Sequence, residues 1–163
     1  MKLEEFSELR LPELERVQAV IEEIKNSGVF LDPFNIAKHN RIEYALVPIT
    51  EPFALSIPNK LGKYTMYISS LVDRYSQKIL CYHELGHVLC ENIPNVYLFD
   101  HTIDHESEFL ANYFAANFLP ILSRMNIDPE TSIEDVNDYI TSLIIPSAHN
   151  LIYEVKDTKA LLK

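Results

Sequence analysis

The stretch His83-Glu84-Leu85-Gly86-His87 constrains this chain more than any other five residues, because it sets two imidazoles four positions apart with a carboxylate beside the first. On a helix, with about 100° per residue, His87 falls roughly 40° from His83 and Glu84 roughly 100° from it. Both histidines then share a face and Glu84 borders it, so two ligands and a base can look into one cavity. That is the pattern of a zinc hydrolase. The plain alternative is an ordinary amphipathic helix, since three specified positions in five recur by chance.

The rest of the chain supplies context. With 163 residues it is long enough to bury a core, and we read it as one domain over 1–163. Three parts follow in order: N-terminal helices over 1–40, a sheet with the motif-bearing helices over 41–120, and C-terminal helices over 121–163. Twenty-four acidic residues against 14 basic ones leave a net charge of −10, and no Lys/Arg-rich run interrupts that background. This argues against direct nucleic-acid binding, whereas a basic protein partner would be attracted. Cys81 and Cys90 lie nine positions apart on one expected helix, roughly 13 Å along its axis, too far to bridge. Free thiols, a charged start without an apolar signal core and the lack of a membrane-length apolar run point to the cytoplasm.

Leu14, Val17, Val20, Ile21 and Ile24 recur at helical spacing between Leu11 and Asn26, with Pro12 near the start and Gly28 past the end. Asp32-Pro33 predicts an N-cap and first-turn proline for a shorter helix ending near Asn40. The period then changes to alternation. Ile42, Tyr44 and Leu46 share one side, and further β-type runs at Phe53 to Ile57 and Tyr64 to Ile68 predict three short strands in an antiparallel or mixed sheet. Ser70 with Asp73 resembles a capping box for the motif helix, which the pattern carries to Asn92. Asp104 to Leu119 predicts a helix stopped by Pro120, Ser132 with Asp135 starts another to about Ile144, and a last one follows Pro146-Ser147. The fold class is α+β.

A catalytic zinc commonly takes three protein ligands and keeps a fourth position for water, so a third ligand is needed. Glu91 shares the histidine stripe but lies about 12 Å along the axis from His83, and ligands at three consecutive i+4 steps do not converge. Cys90 and Ile93 occupy the Gly and His positions of the extended HExxHxxGxxH pattern, which excludes it. The third ligand must come from another element. His101, Asp104, His105, Glu106 and Glu108 are the candidates, and ligand chemistry alone leaves Glu108 open against Glu106 and the nearby histidines. On the Glu108 helix, Ala111 and Ala115 form a small-residue stripe, and Asn112 one turn on could hydrogen-bond a ligating imidazole.

These residues resemble the ImmA/IrrE family of metallopeptidases. The resemblance rests on His83 to His87 preceded by the alternating Tyr64 to Ser69, followed by Glu108-Phe109-Leu110-Ala111-Asn112-Tyr113-Phe114-Ala115 and then Phe118-Leu119-Pro120. Asp32 to Ala37 also resembles the family's N-terminal region, so the likeness covers roughly residues 30 to 120. The Ala116 to Pro120 ending is one residue shorter than the family's usual one, and no family motif follows Pro120. The resemblance implies a zincin-like fold and a zinc-dependent endopeptidase, with manganese as a possible ion. Carried over residue by residue, it implies His83, His87 and Glu108 as ligands and Glu84 as general base. It also implies a substrate, a helix-turn-helix repressor of a phage or mobile element.

Tyr82, Tyr97, His105 and His149 are candidates to hold an oxyanion. A substrate segment could pair along the sheet edge, with Tyr64 to Ser69 as the docking strand. The competing readings are a non-catalytic module that sequesters a repressor while retaining a metal site, and a hydrolase acting on another bond. Oligomeric state has no sequence signal here.

Overall fold

The structure, a computed structural model, describes residues 1–90 and 104–147. Helix α1 (Leu3–Leu9) buries only Phe6 and leads into α2 (Leu11–Asn26), which buries Val17, Ile21 and Ile24 on one stripe. Gly28 turns the chain with a left-handed φ of 76°. Asp32 then accepts from the backbone N–H groups of Phe34 and Asn35, capping α3 (Pro33–His39).

Three strands follow: β1 (Glu43–Val47), β2 (Ala54–Pro58) and β3 (Tyr64–Ser69). Their order in the sheet is β1-β3-β2, with β1 parallel and β2 antiparallel to β3. The sheet is therefore mixed, and its last strand in sequence is its middle strand. Met66 and Ile68 of β3 are fully buried, opposite Ser56 and Ala54 of β2 in the register. Leu46, on the same side as Tyr44 by alternation, is 44% exposed. It lies on an edge strand, and the short α3 brings Phe34 against Tyr44, one pair earlier.

The motif lies on α4 (Arg74–Leu89), followed by α5 (His105–Ala116) and α6 (Ile133–Ser142), so the described residues hold six helices in an α+β fold. Asp73, rather than Ser70, caps α4, its carboxylate accepting from Ser76 N–H at 2.7 Å. The reason is the preceding backbone. Ser70 N–H is bonded to the Val47 carbonyl, Leu71 N–H to the Ser69 hydroxyl, and Val72 bridges to Pro146, so 70–71 form a turn and 72 a bridge before the helix begins. The C-cap is Cys90, so the expected run to Asn92 leaves the described residues. At α5 the helix stops at Ala116, before the expected Leu119, because Asn117 caps it and donates to the Tyr113 carbonyl. A complete capping box of Ser132 and Asp135 starts α6, as its spacing predicts. The helix expected after Pro146-Ser147 lies outside the described residues. No described helix is long and apolar enough to cross a membrane.

Helices α4 and α5 pack closely at Gly86. A Cβ there would stand 3.0 Å from Ala111 Cα and from Phe114 Cβ, and 3.1 Å from the Ala111 carbonyl oxygen. Ala111 and Ala115, both fully buried, are the small-residue stripe that permits the approach.

Candidate metal centre

The close α4–α5 packing brings the carboxylate of Glu108, in the first turn of α5, against both motif histidines. His83 Nε2 lies 3.1 Å from Glu108 Oε2, His87 Nε2 lies 3.1 Å from Oε1, and the two Nε2 atoms are 3.0 Å apart. The imidazoles meet edge to face, their planes 84° apart. Among the described residues, His83, His87 and Glu108 are the cluster of three whose donor atoms could hold one ion. The fit can be tested by distance. Donors about 2.0–2.1 Å from one tetrahedral zinc stand roughly 3.3 Å from one another, close to the triangle observed. Two nitrogens and one carboxylate are also the donor set of a catalytic zinc that keeps a position open.

Each donor is held by the fold. His83 Nδ1 is 2.7 Å from Asn112 Oδ1, an acceptor that keeps the ring proton on Nδ1 and turns Nε2 toward Glu108. Burial disfavours a charged His83, but Glu108 outweighs it, with help from Glu84 and Asn112, and raises its pKa to about 9. Burial likewise opposes ionisation of Glu108, yet the two imidazoles hold its carboxyl well below the usual range.

Glu84 is 5% exposed and lines the same cavity as His83 and Glu108. Its Oε2 accepts a 2.5 Å hydrogen bond from the buried Ser56 hydroxyl of β2. The sequence reading missed Ser56, which carries no motif of its own and meets Glu84 only because β2 pairs beside β3. It also missed Asn137 of α6, whose Oδ1 accepts from Asn112 Nδ2 at 2.8 Å and whose Nδ2 donates to the His105 carbonyl at 3.0 Å.

The other candidates separate plainly. Glu106 pairs with Arg10 at 2.6 Å, and Asp104 caps α5 through Ser107 N–H. Tyr82 gives its hydroxyl to the Leu31 carbonyl and stacks on Phe118, which removes it from oxyanion binding. His105 does line the cavity, while Glu91, Tyr97, His101 and His149 lie outside the described residues. Cys90 is buried, its thiol pushed up to about 12 by burial.

A family model described as the IrrE N-terminal-like domain matches residues 46–154, about two thirds of the chain. The chain belongs to this family. The match begins inside β1 and runs through α4, α5 and α6, so it extends beyond the Pro120 limit of the sequence resemblance and leaves α1 to α3 outside. Membership in this peptidase family supports a metallopeptidase-type function. No curated protein and no solved structure matches the chain.

Proposed function

We propose that the chain is a zinc-dependent endopeptidase in which His83, His87 and Glu108 hold the ion and Glu84 is the general base. The observation that carries this reading is the convergence of three donors at 3.0–3.1 Å beside a buried carboxylate with one oxygen tied down. Zinc, when bound, supplies a Lewis acid that acidifies water and polarises a peptide carbonyl. Glu84 takes the proton of the attacking water and passes it to the departing amide nitrogen. Ser56 occupies Oε2, which leaves Oε1 for that transfer. Asn112 keeps the His83 ring in register.

The expected docking strand needs correction. Both sides of β3 are already bonded, to β1 and to β2, so a substrate cannot pair with Tyr64 to Ser69. β2 has a free side among the described residues and carries the partner of Glu84, and an extended substrate segment laid along it would add a strand. Beside it opens a cavity of about 420 Å³ whose walls include Phe53, Ile79, Leu80, Ile140 and Ile144. These walls suit a bulky apolar side chain next to the scissile bond. For the substrate itself we infer a helix-turn-helix repressor of a phage or mobile element in the cytoplasm. The family resemblance supports this, as does the net charge of −10, which would attract a basic DNA-binding protein.

The test is incubation of the zinc-loaded protein with the repressor encoded beside its gene, followed by mass spectrometry of fragments. Glu84→Gln should keep zinc and lose about 100-fold or more of the cleavage rate. Undiminished cleavage by Glu84→Gln would refute the assignment of the base. Binding without fragments, unaltered by that substitution, would identify a repressor-sequestering module instead.

A further inference from the structure

Buried hydrogen bonds around His83 have a direction, and the direction starts from a group that cannot reverse. The His105 backbone carbonyl can only accept. Asn137, 8% exposed, therefore places Nδ2 on it at 3.0 Å and turns Oδ1 the other way. That oxygen can only accept, so Asn112, 3% exposed, presents Nδ2 to it at 2.8 Å and is left with Oδ1 facing His83. Opposite Oδ1, at 2.7 Å, the His83 Nδ1 must carry a hydrogen. The neutral ring then has its lone pair on Nε2, the atom that stands 3.1 Å from Glu108 and 3.0 Å from His87 Nε2.

We propose that Asn137 is a positioning residue for the metal site: through Asn112 it fixes the tautomer of His83 from two hydrogen bonds away, with the His105 carbonyl as the fixed end of the chain. This rests on the zinc reading of His83, His87 and Glu108. Asn112 alone is insufficient, because a side-chain amide is nearly symmetric in shape. Flipped, it would present Nδ2 to His83, favour a hydrogen on Nε2 and leave the wrong nitrogen free. Asn137 supplies the asymmetry. Its position on α6 also explains how a helix that contributes no ligand among the described residues bears on the site. The same side chain ties α6 to the first turn of α5, three residues before Glu108.

The experiment measures zinc affinity by chelator competition in the full chain, with ¹⁵N-histidine spectra of the zinc-loaded protein reporting the protonated ring nitrogen. Asn137→Ala should weaken zinc binding about 10-fold, the lower range for loss of a partner behind a ligating histidine. The hydrogen on His83 Nδ1 should become labile. Asn112→Asp offers only acceptors to His83, so in that background Asn137→Ala should change zinc affinity by less than about 2-fold. Asn137→Asp keeps the acceptor for Asn112 and loses only the donor to His105. It should retain zinc affinity nearer the parent while melting lower, and it serves if the alanine variant does not fold. Equal weakening by Asn137→Ala in both backgrounds, or none in either, would overturn the proposal. Failure of the parent protein to bind zinc would instead overturn the metal-site reading on which it rests.

Discussion

Replacing Gly86 by alanine separates two opposite expectations. In an exposed helix interior, Gly→Ala stabilises by about 1 kcal/mol through helix propensity, which in a chain of this size raises Tm by roughly 2–4 °C. At Gly86 the new Cβ would meet Ala111 Cα and Phe114 Cβ at 3.0 Å and the Ala111 carbonyl at 3.1 Å. Carbon atoms pack at about 3.5–4.0 Å, so at least half an ångström must be found. Rotating a side chain does not provide it, because two of the three atoms are backbone and the third is the root of fully buried Phe114. α5 must shift as a body. Overpacking of this kind costs about 1–3 kcal/mol, which leaves a net loss of about 0–2 kcal/mol after the propensity gain. The functional effect is sharper, since Glu108 lies one turn before Ala111 and both of its 3.1 Å contacts depend on where α5 sits. Zinc affinity should fall about 10-fold or more, within the range seen when support behind a ligand is disturbed. Thermal melting in a chelator and competitive zinc titration measure the two effects. A higher Tm with unchanged zinc affinity would refute the close-packing argument.

Three further outcomes are expected. Zinc binding should release protons at pH 7–8 and tighten as pH rises, levelling off above about 9. The metal-free fold raises His83 above its ordinary 6.5 to about 9, and a ligand must give up that proton. For the same reason, the stability this charge lends the metal-free protein is full below pH 6.5 and is lost as pH climbs through 9. Titration calorimetry in buffers of different ionisation enthalpy would detect the protons, and their absence at pH 7.5 would contradict the Glu108–His83 coupling. Ser56→Ala should leave zinc content unchanged and lower kcat roughly 10-fold by freeing Glu84, with threonine restoring it, since hydrogen bonds to charged groups are worth about 1.5–3 kcal/mol. An unaltered kcat would dismiss Ser56. Cys81 and Cys90, both buried and with pKa values raised chiefly by burial, should label with thiol reagents at pH 8 only on unfolding; rapid labelling of the native protein would argue against this packing.

Periodicity made α2 legible, because Val17, Ile21 and Ile24 form a stripe that only a helix gathers. The same logic placed α4 and three strands, since the 2-to-3.6 change of period is local. α1 was illegible for the converse reason: seven residues with Phe6 as the sole buried one carry no repeat to detect. Strand order was equally hidden, because alternation in β3 says which face is buried and nothing about what pairs on either side. The alternation of Tyr64 to Ser69 therefore suits an edge strand as well as the middle strand that it forms. Within the site, the two histidines declare themselves by being four apart on one helix. Glu108 rested on resemblance, and its approach to them depends on Gly86 and Ala111 meeting across helices. Ser56 and Asn137 lie 28 and 25 positions from their partners Glu84 and Asn112 and acquire meaning only after folding. Polar residues isolated in this way have no period and no spacing rule.

Ser56 sits on β2, so a substrate docked on that strand, as proposed, would tie catalysis to the manner of docking. An edge strand is held by one row of hydrogen bonds where a middle strand has two, so β2 is the looser support for whatever it carries. A guest chain that completes the second row would stiffen β2 and, through Ser56, the carboxylate of Glu84. Fragments too short to span the strand would meet a base still free to wander even if they reached the metal centre. Selectivity for long extended segments would then come from the sheet itself.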